Sequence, residues 1–159
     1  MTVVPGDAAP DFSMSDADRN TVSLNDLAGQ RVVLFFYPRD NTPGCTKEAC
    51  DFRDAYDELQ QKGVEVIGVS TDSETSHAKF IKKNSLPFRL LVDNDGAVGT
   101  LYDCYGLKKM YGKEYMGITR STFIIGPEGV IEKVYRKVKP KSHVAEVIAD
   151  IEELTGTAS

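Results

Sequence analysis

The chain reads as one α/β layer sandwich with a mixed sheet, and three observations predict it. Short apolar runs alternate with amphipathic helical stretches, the pattern of strands joined by helices. Two late strands flank Gly126-Pro127-Glu128-Gly129, a turn-rich connection that suits an antiparallel hairpin. The length of 159 residues fits one domain, residues 1–159, and no repeat, low-complexity run or linker divides it.

Val32 to Tyr37 (VVLFFY) is an apolar run that Pro38 stops, as expected of a buried strand. From Cys45 to Lys62, Ala49, Phe52, Tyr56 and Leu59 recur at three- and four-residue steps, which makes an amphipathic helix that Gly63 ends. Val64 to Thr71 is the next strand, followed by a helix from about Ser76 to Lys83 and a strand from Phe88 to Val92. Asp95-Gly96 turns into a short helix near Ala97 to Tyr102. The hairpin strands are Ser121 to Ile125 and Val130 to Val138. Ser142 is placed to cap a last helix through Leu154, with Val144, Val147, Ile148 and Ile151 on one face.

The composition, 41% hydrophobic and 27% charged, is that of a globular protein. A net charge of -5 argues against nucleic-acid binding, which needs a basic footprint. The local basic stretch Lys133, Arg136, Lys137, Lys139 and Lys141 reads as a solvated strand edge. No segment has the ~18 apolar residues of a membrane span, and MTVVPGDAAPDF lacks the regions of a signal peptide. Three cysteines are too few for a disulfide framework, so a reducing cytoplasm is the expected location.

The most informative stretch runs from Phe36 to Thr46. A strand ends, a polar loop follows, and Thr42-Pro43 opens a helix as an N-cap and first-position proline. Cys45 then falls in the first turn, where free N–H groups and the positive dipole end favour an anion. The thiolate is such an anion and is the reactive form of cysteine. The competing reading is an ordinary semi-buried cysteine behind a threonine cap. Cys50 lies five residues on, and ideal helix geometry sets the two Cα atoms about 8.7 Å apart. That exceeds the ~7 Å limit for a disulfide, so a Cys45–Cys50 bond requires the helix start to unwind. Taken alone, Cys50 reads first as a small core hydrophobe. Cys104 has no such context and reads as buried filler, with a resolving thiol as the alternative.

Arg120, in GITRSTFII at the start of a buried strand, needs a partner or a path to solvent. Beside Cys45 it would stabilise a thiolate and donate to both oxygens of a peroxide through its rigid fork; a surface arginine at a strand start is the alternative.

Pro38, Thr42 and Cys45 reproduce the Pro-x-x-x-Thr-x-x-Cys signature of the peroxiredoxins, and Arg120 matches that family's distant arginine. The string NTPGCTKEACDFRD, with Cys50 five residues after Cys45, resembles the bacterioferritin-comigratory or Q-type branch. PGDAAPDF, KKMYGKEYMGITRSTFIIGPEG and KVKPKSHVAEV resemble it too, so the similarity covers nearly the whole chain. The resemblance implies a thioredoxin-like fold, a mixed sheet flanked by helices, and a thiol peroxidase without a cofactor or metal. Cys45 is then the peroxidatic cysteine, attacking the terminal oxygen of hydrogen peroxide or an organic hydroperoxide. Thr42 hydrogen-bonds thiolate and peroxide, Pro38 shields the site, Arg120 holds the thiolate, and the N–H groups of Gly44 and Cys45 help bind substrate. Cys50 resolves the Cys45 sulfenic acid to an intramolecular disulfide, which a thioredoxin-type donor reduces. An internal disulfide goes with a monomer. Glu48 either supports the arginine or is a solvated helix residue, and the second reading is the simpler. Related sequences often carry tryptophan near Tyr105, and this chain has none.

Other chemistries fit less well. A cysteine hydrolase needs a histidine base, and neither His77, in a polar helical stretch, nor His143 has an evident orienting partner. A zinc site wants about four Cys or His ligands in paired spacing. A disulfide reductase would use Cys-x-x-Cys. The rival from another class is a non-catalytic redox sensor or relay, which shares the first chemical step and is separated by turnover.

Overall fold

The structure, a computed structural model, describes residues 3–156. The chain forms β1 (Ser13–Asp16), β2 (Thr21–Ser23), a 3-10 turn at Leu24–Leu27, β3 (Arg31–Phe36), α1 (Pro43–Gln61) and β4 (Val64–Ser70). Then come α2 (Glu74–Asn84), β5 (Arg89–Val92), α3 (Ala97–Leu101), β6 (Tyr105–Met110) and β7 (Lys113–Ile118). β8 (Ser121–Ile125), β9 (Ile131–Arg136) and α4 (His143–Thr155) complete it.

Seven strands form one mixed sheet in the order β2-β1-β5-β4-β3-β8-β9. β3, β4 and β5 are parallel, as helix crossovers between them dictate, and β8 and β9 return antiparallel as the expected hairpin. β3 lies between β4 and β8 with both faces covered, which is why its sequence is apolar without alternation. Val33, Phe35 and Tyr37 join the core under α1, α2 and α4, while Val32, Leu34 and Phe36 join a second core on the opposite face.

The helix α1 buries Cys45, Ala49, Phe52, Tyr56 and Leu59 along one stripe. Cys45 therefore belongs to the stripe that packs the helix down. α1 starts at Pro43, where Thr42-Pro43 was expected to open it, and α2 starts two residues before the expected Ser76. For α2 the reason is Ser73, whose side chain accepts from the Ser76 N–H and caps the helix there. The second hairpin strand is shorter than expected, Ile131–Arg136 instead of Val130 to Val138.

Three features correct the sequence reading. Ser142 precedes α4, but its side chain makes no capping bond. Arg136 is not a solvated edge residue: it lies over the Phe123 ring and donates to the carbonyls of Asp103 and Val3. Lys137, Lys139 and Lys141 are exposed as expected, next to the edge strand β9. Unforeseen were β1 and β2, which are short and polar, and the separate β6–β7 ribbon. That ribbon turns through Tyr111-Gly112, both at positive φ, a two-residue turn whose usual signal is Asn-Gly.

Gly68 in β4 lets two buried side chains close over the strand. A Cβ there would stand 2.7 Å from Leu90 Cδ2 and 2.8 Å from the Phe35 ring. Gly68→Ala is expected to cost about 1–3 kcal/mol in urea unfolding, the range for overpacking a filled core; an unchanged midpoint would show that this contact is slack.

Candidate active site

The loop between β3 and α1 is pinned from below. Tyr37 Oη donates to Asp40 Oδ1 at 2.6 Å, Ser76 Oγ to Asp40 Oδ2 at 2.8 Å, and the Asp40 N–H to Asp72 Oδ2 at 2.8 Å. His77 Nδ1 lies 2.8 Å from Asp40 Oδ2, and Nε2 donates to the Leu91 carbonyl at 2.9 Å. His77 is thus wholly buried with an orienting partner, contrary to the sequence reading. One ring nitrogen is committed to Asp40 of this loop and the other to β5, which leaves His77 no free nitrogen to act as a base.

The loop delivers Thr42 to the N-cap position and Pro43 to the first helical position. Thr42 makes no side-chain cap, against expectation; its hydroxyl donates to the Arg39 carbonyl at 3.0 Å. With its hydrogen spent there, the Thr42 oxygen offers lone pairs. The first helical bond runs from the Thr46 N–H to the Thr42 carbonyl, which leaves the N–H groups of Gly44 and Cys45 ahead of the ladder. Pro38 is half buried where β3 ends.

Cys45 is only 1% exposed, and Arg120 Nη2 donates to its sulfur at 3.2 Å. Arg120 stands between β7 and β8, with its carbonyl tied to the Val138 N–H. Its Nη1 donates to Glu48 Oε1 at 2.8 Å, so one guanidinium spans both groups. Gly44 makes room for this: a Cβ there would lie 3.1 Å from Arg120 Nη2 and 3.3 Å from Pro140.

Glu48 is the residue that the sequence reading misplaced. It is fully buried, not solvated. The signal was its spacing, since position 48 falls on the same helical stripe as Cys45, Ala49 and Phe52. Burial pushes its carboxyl up to about 7, although Arg120 pulls the other way. Its Oε2 is a buried oxygen without a hydrogen-bond partner, 3.9 Å from His143 Nε2. His143 is itself buried at the start of α4, with Nε2 2.8 Å from Thr122 Oγ1. Burial first, then the charge of Arg120, pushes its imidazole down to about 4.

The other cysteines are set apart. Cys50 lies off the buried stripe, half buried, its sulfur 3.7 Å from Asn84 Oδ1. Cys104 belongs to the core on the opposite face of the sheet, and burial pushes its thiol up to about 12. All three cysteines are free.

The buried Glu48 and His143 tie stability to pH with opposite signs. From about 4.5 to 7 the folded chain keeps the Glu48 proton that the unfolded chain has lost, so stability falls as pH rises. From about 4 to 6.5 the unfolded chain holds a His143 proton that the folded chain lacks, so stability rises. Each contribution is about 3 kcal/mol, and they cancel across most of the window. His143→Gln removes the rising part. Its stability relative to wild type, measured by urea unfolding, is expected to drop by about 3 kcal/mol between pH 4 and 6.5; a pH-independent difference would contradict a buried neutral imidazole.

The comparisons agree with this geometry. Residues 5–134 match the AhpC/TSA family. The peroxiredoxin Bcp of Bacillus subtilis is 48% identical over 155 residues, covering 98% of this chain and 99% of its own. That of Escherichia coli is 45% identical over 138 residues, covering 87% and 88%. Among solved structures, the Xanthomonas campestris bacterioferritin comigratory protein, studied for alkyl peroxide reduction, superposes with a TM-score of 0.89 at 37% identity, covering 96% of each chain. With this thioredoxin-like architecture and this extent of identity, the chain belongs to the AhpC/TSA family, among the peroxiredoxins of the Bcp, or Q-type, branch.

Proposed function

We propose that the protein is a thiol peroxidase acting on hydrogen peroxide and organic hydroperoxides, with Cys45 as nucleophile. The observation that carries this is the Arg120 Nη2 contact to the Cys45 sulfur, 3.2 Å, at a helix start that offers two free N–H groups. A charge-assisted donor at that distance stabilises negative charge on the sulfur. The attacked peroxide lies between the Gly44 and Cys45 N–H groups, Arg120 and the Thr42 oxygen, which accepts from the peroxide O–H. Pro38 shields the site from water. The thiolate attacks the terminal oxygen, the O–O bond breaks, and the departing alkoxide or hydroxide takes a proton to leave as alcohol or water. Cys45 becomes a sulfenic acid.

Cys50 then resolves it. Both cysteines lie in the continuous helix α1, with the Cα separation of about 8.7 Å that an intact helix imposes, so the first turns must unwind before the sulfurs meet. Cys104 is poorly suited to the role, being buried across the sheet with its thiol pushed up to about 12. A thioredoxin-type dithiol reduces the disulfide by exchange, which places the cycle in a reducing compartment, the cytoplasm. Among the described residues no helix is long and apolar enough to cross a membrane. Because the disulfide is internal, a monomer suffices, and light scattering on the reduced protein tests that.

Turnover tests the reading against a redox sensor. With excess dithiol, wild type is expected to consume many peroxides per chain, and Cys45→Ser none. Arg120→Gln should lower the rate constant for peroxide by about a hundredfold, as loss of a preorganised charged donor does. Consumption of a single equivalent per chain would make the protein a sensor.

A further inference from the structure

The resolving half of the cycle has its own polar setting, on the far side of α1 from Arg120. Cys50 and Arg53, three residues apart on one face of α1, converge on Asn84, the last residue of α2. The Cys50 thiol faces Asn84 Oδ1 at 3.7 Å, and Arg53 Nη1 donates to the Asn84 carbonyl at 2.8 Å. Asn84 is fixed in turn, its Nδ2 donating to the Phe80 carbonyl at 3.1 Å. The orientation of its side chain is therefore set, with Oδ1 towards the sulfur. Arg53 Nε is held by Asp54 at 3.0 Å, and Nη2 has no acceptor among the described residues. The guanidinium is a cation tethered at two corners, and it shares Asn84 with the Cys50 thiol, the one on its carbonyl and the other on its side-chain oxygen. Its own charge is reinforced first by Asp54 and next by the Cys50 sulfur.

We infer that Arg53 is a positioning residue for the resolving step: anchored on Asn84, it stabilises the Cys50 thiolate that attacks the Cys45 sulfenic acid. The inference rests on the resolving role proposed for Cys50. In the step, the Cys50 thiol gives up its proton and its sulfur bonds to the Cys45 sulfur. The S–O bond of the sulfenic acid breaks, and hydroxide leaves with that proton as water. Cys50 is oxidised and Cys45 reduced, each ending as half of a disulfide, and no other reactant is consumed. The arrangement divides the labour of the two arginines. Arg120 serves the sulfur that meets peroxide, and Arg53 the sulfur that meets sulfenic acid. It also keeps Cys50 on the part of α1 that is tied to α2 while the turn carrying Cys45 comes free.

Arg53→Gln and Arg53→Lys test it, because glutamine can still donate to the Asn84 carbonyl but carries no charge, and lysine keeps the charge. Two rate constants are read on each. One is Cys45 oxidation by hydrogen peroxide, from competition with a haem peroxidase. The other is formation of the Cys45–Cys50 bond, from dimedone trapping and mass spectrometry. In Arg53→Gln the first is expected to stay within about twofold and the second to fall about fivefold, the scale of one partly exposed charge. The fraction of Cys45 driven to sulfinic acid by excess peroxide rises accordingly. Arg53→Lys should recover at least half of the wild-type second rate. An unchanged second rate in Arg53→Gln, a parallel fall in both rates, or no recovery by lysine would each overturn the assignment. Wild type that forms no Cys45–Cys50 bond would remove the resolving role of Cys50 along with it. A normal wild-type bond with an indifferent Arg53 would remove only the latter.

Discussion

The site hangs on one guanidinium. Arg120 is almost wholly enclosed, and its Nη1 and Nη2 are divided between a carboxylate, Glu48, and a sulfur, Cys45. A buried cation needs a compensating anion, and two candidates with one cation cannot both be fully served. Burial pushes the Glu48 carboxyl up to about 7 against the pull of Arg120, and the guanidinium meets both groups at once, Glu48 through Nη1 and the sulfur through Nη2. The surrounding structure serves this arrangement. Gly44 clears space for the guanidinium, β7 and β8 fix its backbone, and the Asp40–His77–Tyr37 network holds the loop that starts α1.

The second constraint is the geometry of α1 itself. The stripe that packs the helix onto the sheet includes Cys45, and the same helical period turns Cys50 about 140° away. Reduced and folded, the protein keeps its two reactive sulfurs apart and sets each in a different electrostatic surrounding. Bringing them together sacrifices the first helical turns and the burial of Cys45. In the proposed cycle the chemistry is thereby coupled to a local order change at the start of α1, next to a β3 held between β4 and β8.

The main sheet and its helices were legible because their signals are local. The apolar run of β3, the three-and-four spacing of α1 and the turn residues between β8 and β9 each specify one element. The β6–β7 ribbon and β1–β2 were not legible, because β6 and β7 lie outside the main sheet, β1 and β2 are short strands at one end of it, and their sequences are largely polar. At the site, Cys45, Thr42, Pro38 and Arg120 were named from the motif, and the structure brings Arg120 to the Cys45 sulfur from 75 residues away. Glu48 was read as solvated, and His77 and His143 as lacking orienting partners, for a common reason: only the fold supplies the partners that bury a polar helix residue. For Thr42 the N-cap position was right and the hydrogen bond was not, because the Arg39 carbonyl competes for the same hydroxyl.

The most direct test of the account is to give fully reduced protein one equivalent of hydrogen peroxide and map the oxidised sulfurs by intact mass and peptide analysis, in wild type, Cys50→Ser and Cys104→Ser. The account predicts a Cys45–Cys50 disulfide in wild type and in Cys104→Ser, and a sulfenic acid trapped on Cys45 in Cys50→Ser. A Cys45 that remains a thiol while peroxide is consumed, or first oxidation at Cys104, would contradict it.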